Sequence, residues 1–156
     1  MQKVDSHRRE LPAGTYGFKD VEIGDQITTG SVKIDAARID KFAALSGDSY
    51  GLHMRSKDAA RHGFPDRIAH GLLVLSLVDG LKFQAGAQLE AQASLGWNWK
   101  FAAPVIVGDT VTAQVTIAGK RRIRDGKRGI LTLRIEVRNQ HGEVVQHGEN
   151  RLMTYV

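Results

Sequence analysis

The hydrophobic pattern divides the chain into one continuous apolar run and a series of alternating ones. Residues 69 to 83, Ala-His-Gly-Leu-Leu-Val-Leu-Ser-Leu-Val-Asp-Gly-Leu-Lys-Phe, are apolar on nearly every side except at Ser76, Asp79 and Lys82. As a helix the run is about 22 Å long at ~1.5 Å per residue, too short to span a bilayer comfortably and too apolar all round for a surface helix. It belongs in an interior, with Leu73 and Val74 essential to stability and Lys82 much less so. The second half of the chain supplies the covering. Strand candidates follow at 93–102, 110–118, 130–139 and 144–155. Val111, Ala113, Val115 and Ile117 alternate with polar neighbours in the second, and Leu131, Leu133, Ile135 and Val137 in the third. A long antiparallel sheet curled around the single helix buries it. The expected class is α+β, with Trp97 and Trp99 on one side of the first of these strands.

The first half reads as polar and helical. Residues 1–17 form a flexible N-terminal tail, and one domain, 18–156, follows. A strand over 26–34 leads to Asp35, a plausible N-cap for a helix over 36–45 whose Ile39, Phe42, Ala43 and Leu45 leave one apolar face. The stretch 48–53 is too glycine-rich to continue that helix and is expected as an ordered loop. A short helix over 56–61 closes at His62-Gly63, and Pro65-Asp66 turns the chain into the apolar run. Residues 84–90 are a connector, and Asp125-Gly126 centres a basic hairpin over 120–128.

Composition narrows the function classes. A length of 156 residues suits one domain with a real core. The absence of cysteine excludes a disulfide framework and thiolate chemistry. The first fifteen residues lack the apolar centre of a secretory signal, so a soluble cytoplasmic protein without a membrane segment is expected. The net charge of +5 suits an anionic ligand as well as it suits solubility. The hairpin cluster Lys120, Arg121, Arg122, Arg124, Lys127 and Arg128 has no interleaved aromatics, so nucleic acid is not an expected partner.

Acid–base chemistry has one candidate pair. On a continuous helix Asp48 and His53 stand about 140° apart, but the glycines around them allow a bent loop that aims a carboxylate and an imidazole at one water. The plainer reading makes Asp48 a cap and His53 a half-buried structural residue. His70-Gly71 stands at the amino end of the apolar helix, where free N–H groups and the dipole favour negative charge. There the Gly71 N–H can polarise a carbonyl if the loop packs over it, with His70 as a packing or capping residue. Ser76 lies deeper and reads as a core hydroxyl bonded to backbone. His53, His62 and His70 have no recognisable metal-ligand spacing, so no metal is assigned.

The stretch Phe42-Ala43-Ala44-Leu45-Ser46-Gly47-Asp48-Ser49-Tyr50-Gly51-Leu52-His53, with Ala59 six residues beyond His53, resembles the signature of the MaoC-like (R)-specific enoyl-CoA hydratases. That pattern runs aromatic, two residues, aliphatic, Ser, Gly, Asp, any, Asn, Pro, aliphatic, His. Tyr50 and Gly51 depart from it. The likeness continues through Ile68-Ala69-His70-Gly71-Leu72-Leu73, Ser76, Leu95-Gly96 and Pro104-Val105-Ile106-Val107-Gly108-Asp109. It implies a single hot-dog domain that dimerises and hydrates a trans-2-enoyl thioester, usually of coenzyme A, without a cofactor. Asp48 and His53 would handle the water and the α-carbon proton, and Gly71 the oxyanion. Tyr50, His70 and Ser76 would adjoin the substrate, and Arg55, Lys57, Arg61 and Arg67 could meet its phosphates. A thioesterase that turns the water on the carbonyl, and a non-catalytic acyl-thioester binder, remain open at this point.

Overall fold

A computed structural model describes residues 8–156. In chain order the elements are β1 (Arg9–Glu10), β2 (Gly14–Tyr16), β3 (Asp25–Lys33), α1 (Ala36–Ser46), α2 (Gly51–Met54), α3 (Ser56–Arg61), α4 (Gly71–Gln84), β4 (Ala87–Leu89), β5 (Ala93–Phe101), β6 (Thr110–Arg122), β7 (Arg128–Arg138) and β8 (Val144–Tyr155). The large sheet has the order β1-β3-β6-β7-β8-β5 and is antiparallel apart from the short β1–β3 pair. Leu131, Leu133, Ile135 and Val137 of β7 are fully buried, as the alternation requires. They share one core with Val111, Ala113, Val115 and Ile117 of β6 and with Leu73, Val74 and Val78 of α4. No helix among the described residues is long and apolar enough to cross a membrane.

Three expectations are corrected. The described part of the expected tail is tied down: β1 joins the sheet beside β3, and Leu11 is buried. Arg9 there grips the fully buried Asp25 carboxylate with two hydrogen bonds, of 2.9 and 2.7 Å. β2 in turn pairs in parallel with β4, within the expected connector. These pairings join segments remote in sequence, which local polarity does not reveal. Residues 1–7 of the expected tail lie outside the described residues. Second, residues 51–54 are a helical turn, not a loop.

The third correction concerns α4, which is wrapped on one side only. Leu72 and Phe83 are 59% and 68% exposed, and Ser76 is exposed on the same flank. The expected outsider, Lys82, has a side chain only 11% exposed. Its Nζ donates to Asp79 Oδ1 at 2.9 Å and to Asn150 Oδ1 at 3.0 Å, and lies 4.8 Å from the Trp97 ring centroid. The aliphatic stem covers apolar surface while the ammonium reaches a fixed acceptor.

The inner face of β8 explains that acceptor. It presents two buried amides, Gln146 and Asn150, to the two ends of α4: Gln146 donates to the Gly71 carbonyl at 3.0 Å, and Asn150 holds Lys82. Between them Gly148 pairs with Trp99, and a side chain there would stand 2.1 Å from the Asn98 carbonyl oxygen and 2.8 Å from the indole.

In urea titrations Leu73→Ala is expected to cost about 2–5 kcal/mol through the cavity it leaves. Lys82→Ala is expected to cost about 1–3 kcal/mol, because the buried Asn150 oxygen loses its donor. A Lys82→Ala curve that overlays the unsubstituted one contradicts this assignment.

Candidate active site

Local chemistry ends α1 and starts the site. Asp35 caps the helix by accepting from the Arg38 N–H at 2.9 Å. Gly47 ends it in the left-handed region at φ 81°, a conformation that glycine adopts without strain. Ser46 Oγ donates to the Phe42 carbonyl at 2.7 Å and accepts the Asp48 N–H at 3.2 Å. Asp48 Oδ1 accepts the Tyr50 N–H at 3.2 Å, an Asx-type turn that leads into α2 and His53.

Hydrogen bonds fix the orientation of both imidazoles. His53 Nδ1 lies 2.7 Å from the Ile68 carbonyl oxygen, and an oxygen that can only accept requires Nδ1 to carry the hydrogen. Nε2 is thereby turned toward Asp48 Oδ2, 4.0 Å away. That separation is too long for a direct hydrogen bond and leaves the pair able to share a water. The two side chains differ in environment: His53 is 14% exposed and Asp48 51%. His70, 2% exposed, donates from Nε2 to the Asp48 backbone carbonyl at 2.8 Å, tying the loop to the start of α4. Its ring stacks on His53 with centroids 4.0 Å apart and lies against Phe42 at 4.9 Å.

The amino end of α4 lies beside them. His70 is its N-cap, and its side chain makes no cap hydrogen bond to the first-turn N–H groups. Phe101, 58% exposed at the end of β5, covers Gly71, where an added Cβ would stand 2.7 Å from its ring. Asp48, His53 and Gly71 thus adjoin through His70.

The remaining expected residues separate. Tyr50, Arg55 and Arg61 line one open surface depression of about 370 Å³ with Gly51, Leu52, Asp58 and His62. Tyr50 is 58% exposed there, its ring 6.3 Å from that of His53. Arg55 pairs with Asp58 and holds its carboxyl below the usual carboxylate range. Lys57 is exposed and lies outside that lining. Arg67 holds the loop together instead of facing a ligand. Its Nε donates to the His53 carbonyl at 2.6 Å and its Nη2 bonds Asp40, so the guanidinium is not free for a phosphate. Ser76 donates to the Leu72 carbonyl at 2.7 Å, as expected of a back-bonded hydroxyl, but on the exposed flank instead of the core.

Side-chain ligand atoms of Asp48, His53 and His70 lie within 4.8 Å of one another. One nitrogen of each histidine is already an N–H donor to a carbonyl, and in-plane lone pairs of stacked rings do not converge on one ion. The cluster fits proton transfer better than metal binding. Gln146, Trp99 and Phe101 escaped sequence reasoning; the available signal was an amide in an otherwise inward-facing strand position.

Comparison with known proteins gives one consistent result. The MaoC-like domain model matches residues 19–139. The chain is 37% identical over 131 residues to an (R)-specific enoyl-CoA hydratase from Aeromonas caviae, covering 83% of this chain and 92% of that one. An Archaeoglobus structure described as a monoamine oxidase regulatory protein superposes with a TM-score of 0.84 at 28% identity, covering 93% and 98% of the two chains. A Mycobacterium tuberculosis protein described as having a double hot-dog fold superposes with a TM-score of 0.78 at 20% identity. That match covers 94% of this chain and 46% of the other, so this chain has the hot-dog fold in a single copy.

The carbonyl partners make a direct spectroscopic expectation. Long-range ¹H–¹⁵N spectra at neutral pH should show the His53 hydrogen on Nδ1 and the His70 hydrogen on Nε2. The opposite tautomer at His53 would remove its Nε2 from the role of acceptor for a water shared with Asp48.

Proposed function

The chain belongs to the MaoC-like dehydratase family, and on that premise we propose that it adds water reversibly to a trans-2-enoyl-CoA, giving the (R)-3-hydroxyacyl thioester. The enzyme is a hydro-lyase. The observation that carries the site assignment is the 4.0 Å approach of His53 Nε2 to Asp48 Oδ2, which lets one water lying to the side of the pair reach both atoms, next to the amino end of α4.

In the forward direction the water oxygen bonds C3 as one proton leaves it, and the C2=C3 electron pair moves toward the thioester carbonyl. The Gly71 N–H meets the oxyanion of the resulting enolate, where the helix dipole also favours negative charge. A proton then reaches C2, so the net change is one water added. Both proton movements pass through the Asp48–His53 pair. The Ile68 carbonyl supports this work by holding the ring through its Nδ1–H while Nε2 takes up or gives up a proton.

Arg55 and Arg61 are assigned to the phosphates of coenzyme A, in the depression beside α2, and Tyr50 to the entrance between that depression and the water. A second copy of the chain is assigned to the open edge of β5. Leu95 and Phe101 on that strand, with Leu72 and Phe83 on α4, leave an apolar margin that supports such pairing.

Asp48→Asn and His53→Gln are each expected to lower kcat on crotonyl-CoA by about two to four orders of magnitude. Enoyl absorbance reports hydration, and a thiol reagent run in parallel reports thioester hydrolysis. Thiol release that outpaces loss of the double bond would replace hydration with hydrolysis. Near-normal hydration by either folded variant would remove that residue from the mechanism.

Arg55→Ala with Arg61→Ala is expected to raise KM with little change in kcat, because phosphate contacts far from the reacting carbons are made equally in ground and transition states. An unchanged KM in the double variant would move the phosphates elsewhere.

A further inference from the structure

We propose that Gln146 and Trp99 form a positioning relay that fixes Gly71, and with it the backbone N–H that receives the oxyanion. The inference rests on the hydratase reading of the site and adds two residues, neither of which touches substrate.

The relay has a defined polarity. Gln146 is 2% exposed on the inner face of β8. Its Oε1 accepts the Trp99 indole N–H at 2.9 Å, and its Nε2 donates to the Gly71 carbonyl at 3.0 Å. An indole N–H can only donate and a carbonyl can only accept, so the amide has one orientation that satisfies both. Trp99 is itself immobilised: its ring meets Trp97 edge-on at 5.4 Å and occupies the space left by the absent side chain of Gly148.

Gly71 needs such an anchor. The Phe101 ring packs into the space a Cβ would occupy there, and glycine has the freest backbone of all residues. It is also the first residue of its helix, where the N–H groups have no intrahelical acceptor to hold them. The peptide that carries the Gly71 N–H is held on one side by His70, whose carbonyl accepts the Val74 N–H at 3.3 Å and whose ring is bonded to Asp48. On the other side the Gln146 amide holds the Gly71 carbonyl. Removing it leaves the Gly71 carbonyl with its helical bond alone and loosens the residue whose N–H is proposed to meet the oxyanion. Oxyanion donors act through preorganisation, so a loosened donor loses effect where charge develops while substrate binding is preserved.

Three variants test the bonds. Gln146→Met keeps the bulk and loses both bonds. Gln146→Leu likewise loses both bonds and shortens the side chain. Trp99→Phe keeps the bond to Gly71 but releases the amide that makes it. The first two are expected to lower kcat on crotonyl-CoA about tenfold to a hundredfold with KM within about threefold, and Trp99→Phe less. In ¹H–¹⁵N spectra the Gly71 amide resonance should shift or broaden in all three, in the same order. Unchanged kcat in the folded variants, or a loss confined to KM, overturns the relay. So does an unaltered Gly71 resonance, and that readout stands even if the unsubstituted protein turns over no enoyl thioester, a result that would overturn the hydratase reading instead. If Gln146→Met does not fold, Trp99→Phe carries both readouts at smaller amplitude.

Discussion

A helix packed into a core must leave the N–H groups of its first turn somewhere, since buried and unpaired each is costly. In this protein that constraint shapes the whole upper end of the molecule. The apolar residues of α4 force the helix against the sheet, yet its N-cap residue supplies no side-chain acceptor. The structure instead brings α1 and α2 to the helix end, where His70 bonds the Asp48 carbonyl and packs on His53 and Phe42. The place where the helix is electrostatically incomplete is therefore where Asp48 and His53 are held. Burial of the helix and assembly of this cluster are consequences of the same packing.

The fold was largely legible because its main signals are local. Period-two alternation located β6 and β7, and Asp35 marked the start of α1 as a cap should. What escaped depends on partners remote in sequence. Nothing around Arg9 shows that Asp25 is buried beneath it, and nothing around Lys82 shows that Asn150 awaits its ammonium. The same holds at the site. The spacing of Asp48 and His53 suggested a bent loop, and the bend is an Asx turn followed by one turn of helix. Arg67, read as a phosphate ligand from its position in the chain, is instead occupied by the His53 carbonyl and Asp40. Charge and proximity in sequence could not distinguish an arginine facing a ligand from one bracing a loop.

Tyr50 and Gly51, the two departures from the resembled signature, make local sense together. Tyr50 has φ −58° and ψ 134°, the backbone of a residue that precedes proline, and Gly51 is the first residue of α2, where proline is well tolerated. The loop therefore keeps the shape that proline favours without having one. What glycine adds is space: a Cβ at position 51 would stand 2.6 Å from an Asp58 carboxylate oxygen and 3.1 Å from an Arg55 nitrogen. The absent side chain admits the Arg55–Asp58 ion pair against the loop. Tyr50 then stands over the same depression with a ring where the signature has an amide.

That exchange matters because overall charge does not locate the ligand. The six-cation hairpin is the strongest basic feature of the sequence, but it lies at the wrong pole. Near its start β8 has Gln146 bonded to Gly71, and it ends with Tyr155 beside Arg128, a separation of about 30 Å at ~3.3 Å per residue. Over several Debye lengths, each about 8 Å at physiological ionic strength, the hairpin field is screened from Asp48 and His53 of its own chain. Near the pair, Asp58 offsets one of the two arginines, so the local excess is about one positive charge, close enough to act directly on an anionic group in the depression. The lining of that depression thus carries a positive charge of its own beside one turn of helix, whatever the net charge of the rest.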